Sequence, residues 1–138
     1  MRLTLTRSEI LRGRNSFREA FNLGRKIDSK FLRCYVFGKP AESAGTASRM
    51  IVGFVVSRSL KRAVDRNHLK RLMRESYRRN KETLLRKTED FRINLELVFV
   101  YSPDKSTKTR LPSFSDIEND IRTILRAIAK IQFRPVRC

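Results

Sequence analysis

Apolar and polar positions along the chain follow two alternations, one of period two and one near 3.6, separated by short polar connections. NSFREAFNL, 15–23, reads as a short helix. Phe17, Ala20 and Phe21 share one face of it, Ser16 with Glu19 makes a capping box, and Gly24 follows as a stop. KFLRCYVFG, 30–38, alternates like a strand, with Phe31, Arg33, Tyr35 and Phe37 on one side and Leu32, Cys34 and Val36 on the other. KPAESAGTAS, 39–48, is a polar connection rich in small residues. RMIVGFVV, 49–56, is nearly continuous and β-branched, which predicts a central strand covered on both faces.

A basic helix follows, from Ser59 or Ala63 to about Leu85, and then a third strand in NLELVFVY, 94–101. After the loop SPDKSTKTRLP, a second capping box in SDIE, 115–118, opens a helix whose Ile117, Ile121, Ile124, Leu125 and Ile128 form one apolar stripe. The predicted order is α-β-β-α-β-α, an α+β sandwich in which helices pack on one small mixed sheet. At 138 residues the chain is one domain, 1–138, long enough for a modest core.

The basic helix sets a question of its own. In RNHLKRLMRE, 66–75, Arg66, Lys70 and Arg74 are spaced i, i+4, and Arg78 continues the row. Like charges so spaced repel by roughly 0.2–0.5 kcal/mol per pair in an isolated helix. On a helical wheel Arg66, Lys70, Arg71, Arg74, Arg78 and Lys81 share an arc of about 140° with Asn67 inside it. Leu69, Leu72, Met73 and Ser76 occupy the opposite arc, while His68 and Glu75 lie together beside Arg79. One face can bury while the other presents a cationic ridge suited to phosphate; a merely solvated face would intersperse more acids.

Charge over the whole chain agrees. Lys and Arg number 32 against 14 Asp and Glu, a net +18 with a pI near 11.2, and residues 58–87 carry 12 cations and 3 acids, half of that excess. Such a charge points to polyanionic partners, nucleic acid before an anionic membrane surface. The longest apolar runs are strand-length, well under the roughly 18 residues of a membrane helix, and the start has no secretory apolar stretch. Cys34 and Cys138 fit no CxxC pattern, which favours a reducing compartment without a disulfide framework or zinc. A soluble cytoplasmic protein with no membrane partner is expected.

A second feature is the face Phe31–Arg33–Tyr35–Phe37, an arginine among rings. Rings stack on bases at about 1–3 kcal/mol each while cations follow the backbone, which is how single strands are held. Phe17 and Phe21 can supply the other wall of a cleft. Simple core packing is the competing reading, strongest for Phe31 and Phe37 at the strand ends; Tyr35 is the best stacking candidate. Protein-borne catalysis finds little support: His68 is the sole histidine, HExxH and glycine-rich phosphate loops are absent, and His68 and Glu75 are two helical turns apart, about 10 Å. No catalytic residue is assigned and no metal site is predicted.

With RNHLKRLMRE, SFREAFNLGRK and VGFVVSRSLKRAVDRN together, the chain resembles the protein subunit of bacterial ribonuclease P over about residues 10–130. The resemblance implies a left-handed crossover in the α-β-β-α-β-α fold. It implies catalysis by a large RNA subunit and its Mg2+ ions, with the protein enhancing affinity for substrate and metal. The partners are then the RNA subunit and precursor tRNA, and not DNA. By position the RNA-binding set is Ser57, Arg58, Lys61, Arg62, Arg66, Asn67, Lys70, Arg71, Arg74 and Arg78, and the cleft for the single-stranded 5′ leader is Phe17, Phe21, Arg33 and Tyr35. His68 stands where many members have arginine, Lys61-Arg62 replaces a small-residue turn, and Arg33 stands where an apolar or small residue is common. Without the resemblance, a ribosomal-protein-like or chaperone-like RNA-binding module fits the same basic helix.

Overall fold

Strand β4, Ile93–Tyr101, sends Leu95, Leu97, Phe99 and Tyr101 to one side and Val98 and Val100 to the other; all but the half-buried Val100 are buried. The computed structural model describes residues 10, 14–40, 50–84, 93–102 and 111–131. In it β4 pairs antiparallel with β2, Leu32–Pro40, and parallel with β3, Met50–Val56. Strand β1, Arg25–Asp28, lies antiparallel on the outer side of β2, giving a mixed sheet in the order β1-β2-β4-β3. The helices are α1, Arg14–Leu23, α2, Ala63–Asn80, and α3, Phe114–Lys130. Parallel β3 and β4 require a crossover between them, and α2 makes it. The α+β fold is the one expected.

The two faces of the sheet are covered unequally. On one, Leu69, Met73 and Tyr77 of α2 and Ile117, Ile121, Ile124, Leu125 and Ile128 of α3 bury against Leu32, Cys34, Val36, Val52, Leu97 and Phe99. On the other, the ten-residue α1 buries Ala20 against Val98 and leaves Phe17, Tyr35, Ile51, Val55 and Val100 half-buried around them. Cys34 is wholly buried, and burial pushes its thiol far above the range in which a thiolate forms.

Several sequence expectations are corrected. RKID at 25–28 is a strand that the apolar pattern did not reveal, because Ile27 is its single apolar residue. Among the described residues strand β3 is the last in the sheet order, with an isolated bridge from Ile10 to Val52 on its outer side. Its apolar run reports two covered faces, which is a different property from having two neighbouring strands. The capping box of α3 is Ser113 with Asp116, two residues before the predicted one: the Asp116 N–H donates to the Ser113 hydroxyl at 3.2 Å and the Ser113 N–H donates to Asp116 at 3.0 Å. Those contacts hold the Asp116 carboxyl below its ordinary pKa. Helix α1 starts at Arg14, so Ser16 sits in its first turn and not at the cap. Helix α2 begins at Ala63 and ends at Asn80, with a further turn at 82–84. Lys39 and Pro40 belong to β2; the rest of the 39–48 connection, most of the 102–112 loop and the tail with Cys138 lie outside the described residues.

One buried carboxylate ties the second helical layer to the hairpin. Asp120 of α3 is 5% exposed, and its Oδ2 accepts the backbone N–H groups of Phe31 at 2.5 Å and Leu32 at 3.0 Å. Asp120→Ala leaves both donors without that acceptor, at about 1–3 kcal/mol each. Urea unfolding is expected to show a loss of at least about 2 kcal/mol, with a smaller loss for Asp120→Asn; an alanine variant as stable as the parent would show that the hairpin is held by other contacts.

Candidate nucleic-acid interface

Helix α2 owes its orientation to buried Leu69, Met73, Ser76 and Tyr77, spaced by threes and fours. The Tyr77 ring lies 6.0 Å from Phe54 and 5.9 Å from Phe99, and those two rings stack across the β3–β4 pair at 6.0 Å. With that stripe docked, Asn67, Lys70, Arg71 and Arg74 face solvent and are exposed. Lys70, Arg71 and Arg74 make no ion pair or hydrogen bond among the described residues.

The rest of the predicted ridge is partly engaged inside the protein. Arg66 is half-buried and its Nη1 donates to the carbonyls of Leu60 at 2.7 Å and Lys61 at 2.9 Å, which shapes the turn entering the helix. Arg66 keeps donors beyond that one nitrogen. Arg78 donates to Glu75 at 2.8 Å through Nη2 and at 3.1 Å through Nε. Lys81 is only 3% exposed and leaves the ridge. Glu75 pairs with Arg78 and not with the His68 side of the helix, while Arg79 reaches Glu118 at 3.5 Å and lies over the Phe114 ring. In the entry turn the Ser57 hydroxyl bonds that of Ser59 at 2.8 Å and accepts the Ser59 N–H at 3.2 Å. Arg58, Lys61 and Arg62 are exposed, with Arg62 at 4.0 Å from Asp65.

The thinly covered face of the sheet holds the aromatic set. Phe17 and Phe21 are 6.4 Å apart, and Phe21 meets the Tyr35 ring edge-on at 4.9 Å. Phe21 is 36% exposed and Tyr35 half-buried, so Phe21 offers the more open ring. Gly24 brings α1 this close: its N–H donates to Ala20 O at 2.8 Å, and a Cβ there would collide with that carbonyl while lying 3.3 Å from the Tyr35 Cβ. Phe31 packs with the α2–α3 side of the core, apart from the other rings.

Strand β1 brings in residues that sequence reasoning missed. Lys26 lies directly across from Tyr35 with Nζ 6.0 Å from the ring centroid, and Asp28 lies directly across from Arg33. Arg33 Nε donates to Asp28 Oδ1 at 2.5 Å. Asp28 first, and the Tyr35 hydroxyl with it, hold the Arg33 guanidinium above its ordinary pKa. The available signal was a charged tetrapeptide between Gly24 and the polar Ser29-Lys30, too short to show a period.

The entry turn of α2 and Arg33 of the cleft lie at the same end of the sheet. Ser57, just after β3, donates its N–H to Tyr101 O at 2.8 Å, and Tyr101 is the register partner of Leu32 beside Arg33. Strands are about 4.8 Å apart, so β2 and the exit of β3 are separated by about 10 Å. Among the described residues no group of three or more His, Cys, Asp or Glu could hold a metal ion, and no helix is long and apolar enough to cross a membrane.

A basic α+β scaffold with an open cationic helix face and a ring-lined cleft belongs to the class of polyanion-binding proteins. The sequence profile of the ribonuclease P family matches residues 5–129. The ribonuclease P protein component of Chlorobaculum tepidum is 39% identical over 59% of this chain and 54% of its own length. That of Porphyromonas gingivalis is 32% identical over 91% of this chain and 86% of its own. Among solved structures, the Thermotoga maritima RNase P protein superposes with a TM-score of 0.65 at 24% identity, covering 86% of this chain and 96% of that one. The chain belongs to the ribonuclease P protein family, from which RNA binding and a part in tRNA processing by an endoribonuclease follow.

The geometry separates the cations by what they do. Arg74→Ala should reduce the slope of log affinity against log salt by about 0.7–0.9 on RNA, one phosphate's worth, without changing stability. Arg66→Ala should also lower the unfolding midpoint, because two loop carbonyls lose their donor. Equal salt slopes for parent and Arg74→Ala would remove that residue from the interface.

Proposed function

We propose that the chain is the non-catalytic, RNA-binding subunit of a cytoplasmic ribonuclease P, in which a large RNA subunit performs the hydrolysis that removes the 5′ leader from precursor tRNA. The observation that carries this reading is the row Lys70, Arg71 and Arg74, three exposed cations without ion-pair or hydrogen-bond partners among the described residues, on the helix whose entry turn lies at the same sheet end as Arg33. In the proposal Arg58, Lys61, Arg62, Arg66, Lys70, Arg71, Arg74 and Arg78 contact RNA phosphates. Asn67, whose amide both donates and accepts, bonds a base edge or ribose, as does the Ser57 hydroxyl. Phe17, Phe21 and Tyr35 hold the single-stranded leader by stacking, with Arg33 beside them.

A dense Lys/Arg ridge favours phosphate over base readout in a groove, and rings favour single strands, so RNA with an unpaired leader is preferred to duplex DNA. Mg2+ would be held by the RNA subunit and its bound substrate. The protein's part is electrostatic: its net +18 offsets phosphate repulsion when two RNAs are brought together, which raises affinity for substrate and for the metal the complex needs.

Precursor tRNA incubated with the protein alone should remain intact, and the protein should lower the concentrations of substrate and Mg2+ at which the RNA subunit cleaves. Leader release by purified protein alone would overturn the assignment. In the cleft, Tyr35→Ala and Arg33→Ala should weaken binding of leader-bearing precursor at least about fivefold more than mature tRNA, given about 1–3 kcal/mol per stacked base. Equal losses on both RNAs would place the leader elsewhere.

A further inference from the structure

We propose that Asp28 and Arg33 together read one base of the bound single strand, and that the base is guanine. The inference rests on the leader-cleft reading above and adds a specificity determinant to it. A cavity of about 310 Å³ opens at the β1–β2 turn, lined among others by Asp28, Lys30, Phe31, Arg33, Tyr35 and Val100. That is the low end of the roughly 300–1,000 Å³ range of small-ligand sites, room for one base and not a run of them.

The charge at its mouth is mixed. Arg33 alone would suit a phosphate, but the Asp28 carboxylate lies 2.5 Å from its Nε and opposes any anion placed against the guanidinium. A carboxylate beside a guanidinium suits a neutral group with acceptors and donors side by side in one plane. Base edges have that form, and in single-stranded RNA their Watson–Crick edges are open to be read. Guanine fits best. Its O6 accepts from the Arg33 Nη groups left unused by Asp28, and its N1–H and exocyclic N2–H both donate to the carboxylate. Adenine, cytosine and uracil each offer a carboxylate fewer donors at that edge.

The pair is held in place before any ligand arrives. Asp28 and Arg33 are direct register partners across an antiparallel ladder, and Asp120 pins the Phe31 and Leu32 amides next to them. Both side chains remain accessible, at 47% and 62% exposure for Arg33 and Asp28. Lys30, exposed at the rim with Nζ 5.2 Å from the Phe31 ring centroid, is the cation available to the adjoining phosphate.

The test measures Kd of the complex of this chain with its RNA subunit for precursor tRNAs carrying each of the four bases at each leader position, with mature tRNA as reference. At one position guanine should bind about tenfold tighter than the other bases, within the range of a good bidentate pair. Asp28→Asn should abolish that preference and keep the preference for leader-bearing over mature tRNA. Arg33→Lys, which keeps the charge and loses the planar fork, should do the same. A flat scan in the parent with leader preference intact would overturn the base-reading inference alone. So would an Asp28→Asn variant that tightens all four leaders equally, since the carboxylate would then act only as a brake on phosphate binding. Equal affinity of the parent complex for precursor and mature tRNA would overturn the cleft reading and this inference with it.

Discussion

Leu69, Met73 and Tyr77 of α2 packed on the Phe54–Phe99 stack form the contact on which the other features depend. Burying side chains of this kind stabilises by about 1.5–3 kcal/mol each relative to exposure. The like-charge repulsion along the opposite arc is roughly 0.2–0.5 kcal/mol per pair. Packing therefore decides which way the helix faces, and the cations follow as a consequence. The same docking fixes the rotation of α2, so that Arg66 turns inward onto its entry loop, Lys81 is buried, and Lys70, Arg71 and Arg74 are left pointing outward.

The sheet's two faces divide the remaining work. Two long helices close one face into a dry core, while among the described residues the ten-residue α1 covers part of the other. An incompletely covered apolar face with rings at its margin is costly for a protein that stays alone and useful to one that binds a flat ligand. Gly24 makes the arrangement close: without a side chain there, α1 can end against Tyr35 and bring Phe21 edge-on to it. Because β3 leaves the sheet at the end where β2 enters, the entry turn of the basic helix lies at the same sheet end as Arg33.

Much of this was legible in the sequence where burial was one-sided and long. The apolar stripe of α3, the strand pattern of β2 and β4 and the centre of the cationic ridge all follow from periodicity over eight residues or more. Short or tertiary features were hidden. Strand β1 has four residues, three of them charged, and its existence depends on pairing with β2. The place of β3 at the end of the described strand order could not be read from its composition, since the parallel partner β4 lies 37 residues or more away in the chain. Asp28 is the most consequential residue left unseen: only the register of the hairpin places it against Arg33, which makes that arginine half of an ion pair. Caps shifted by two residues because Asp116 serves at Ser113 where a glutamate was expected later.

The central claim is that α2 is held by its apolar stripe so that three outward cations can grip RNA. Its most direct test is the triple charge reversal Lys70→Glu, Arg71→Glu, Arg74→Glu, scored for assembly with the RNA subunit at about 0.15 M salt, where the screening length is about 8 Å. The account predicts an unchanged far-ultraviolet circular dichroism spectrum and unfolding midpoint, with assembly lost. A folded variant that assembles with the parent's affinity would contradict it.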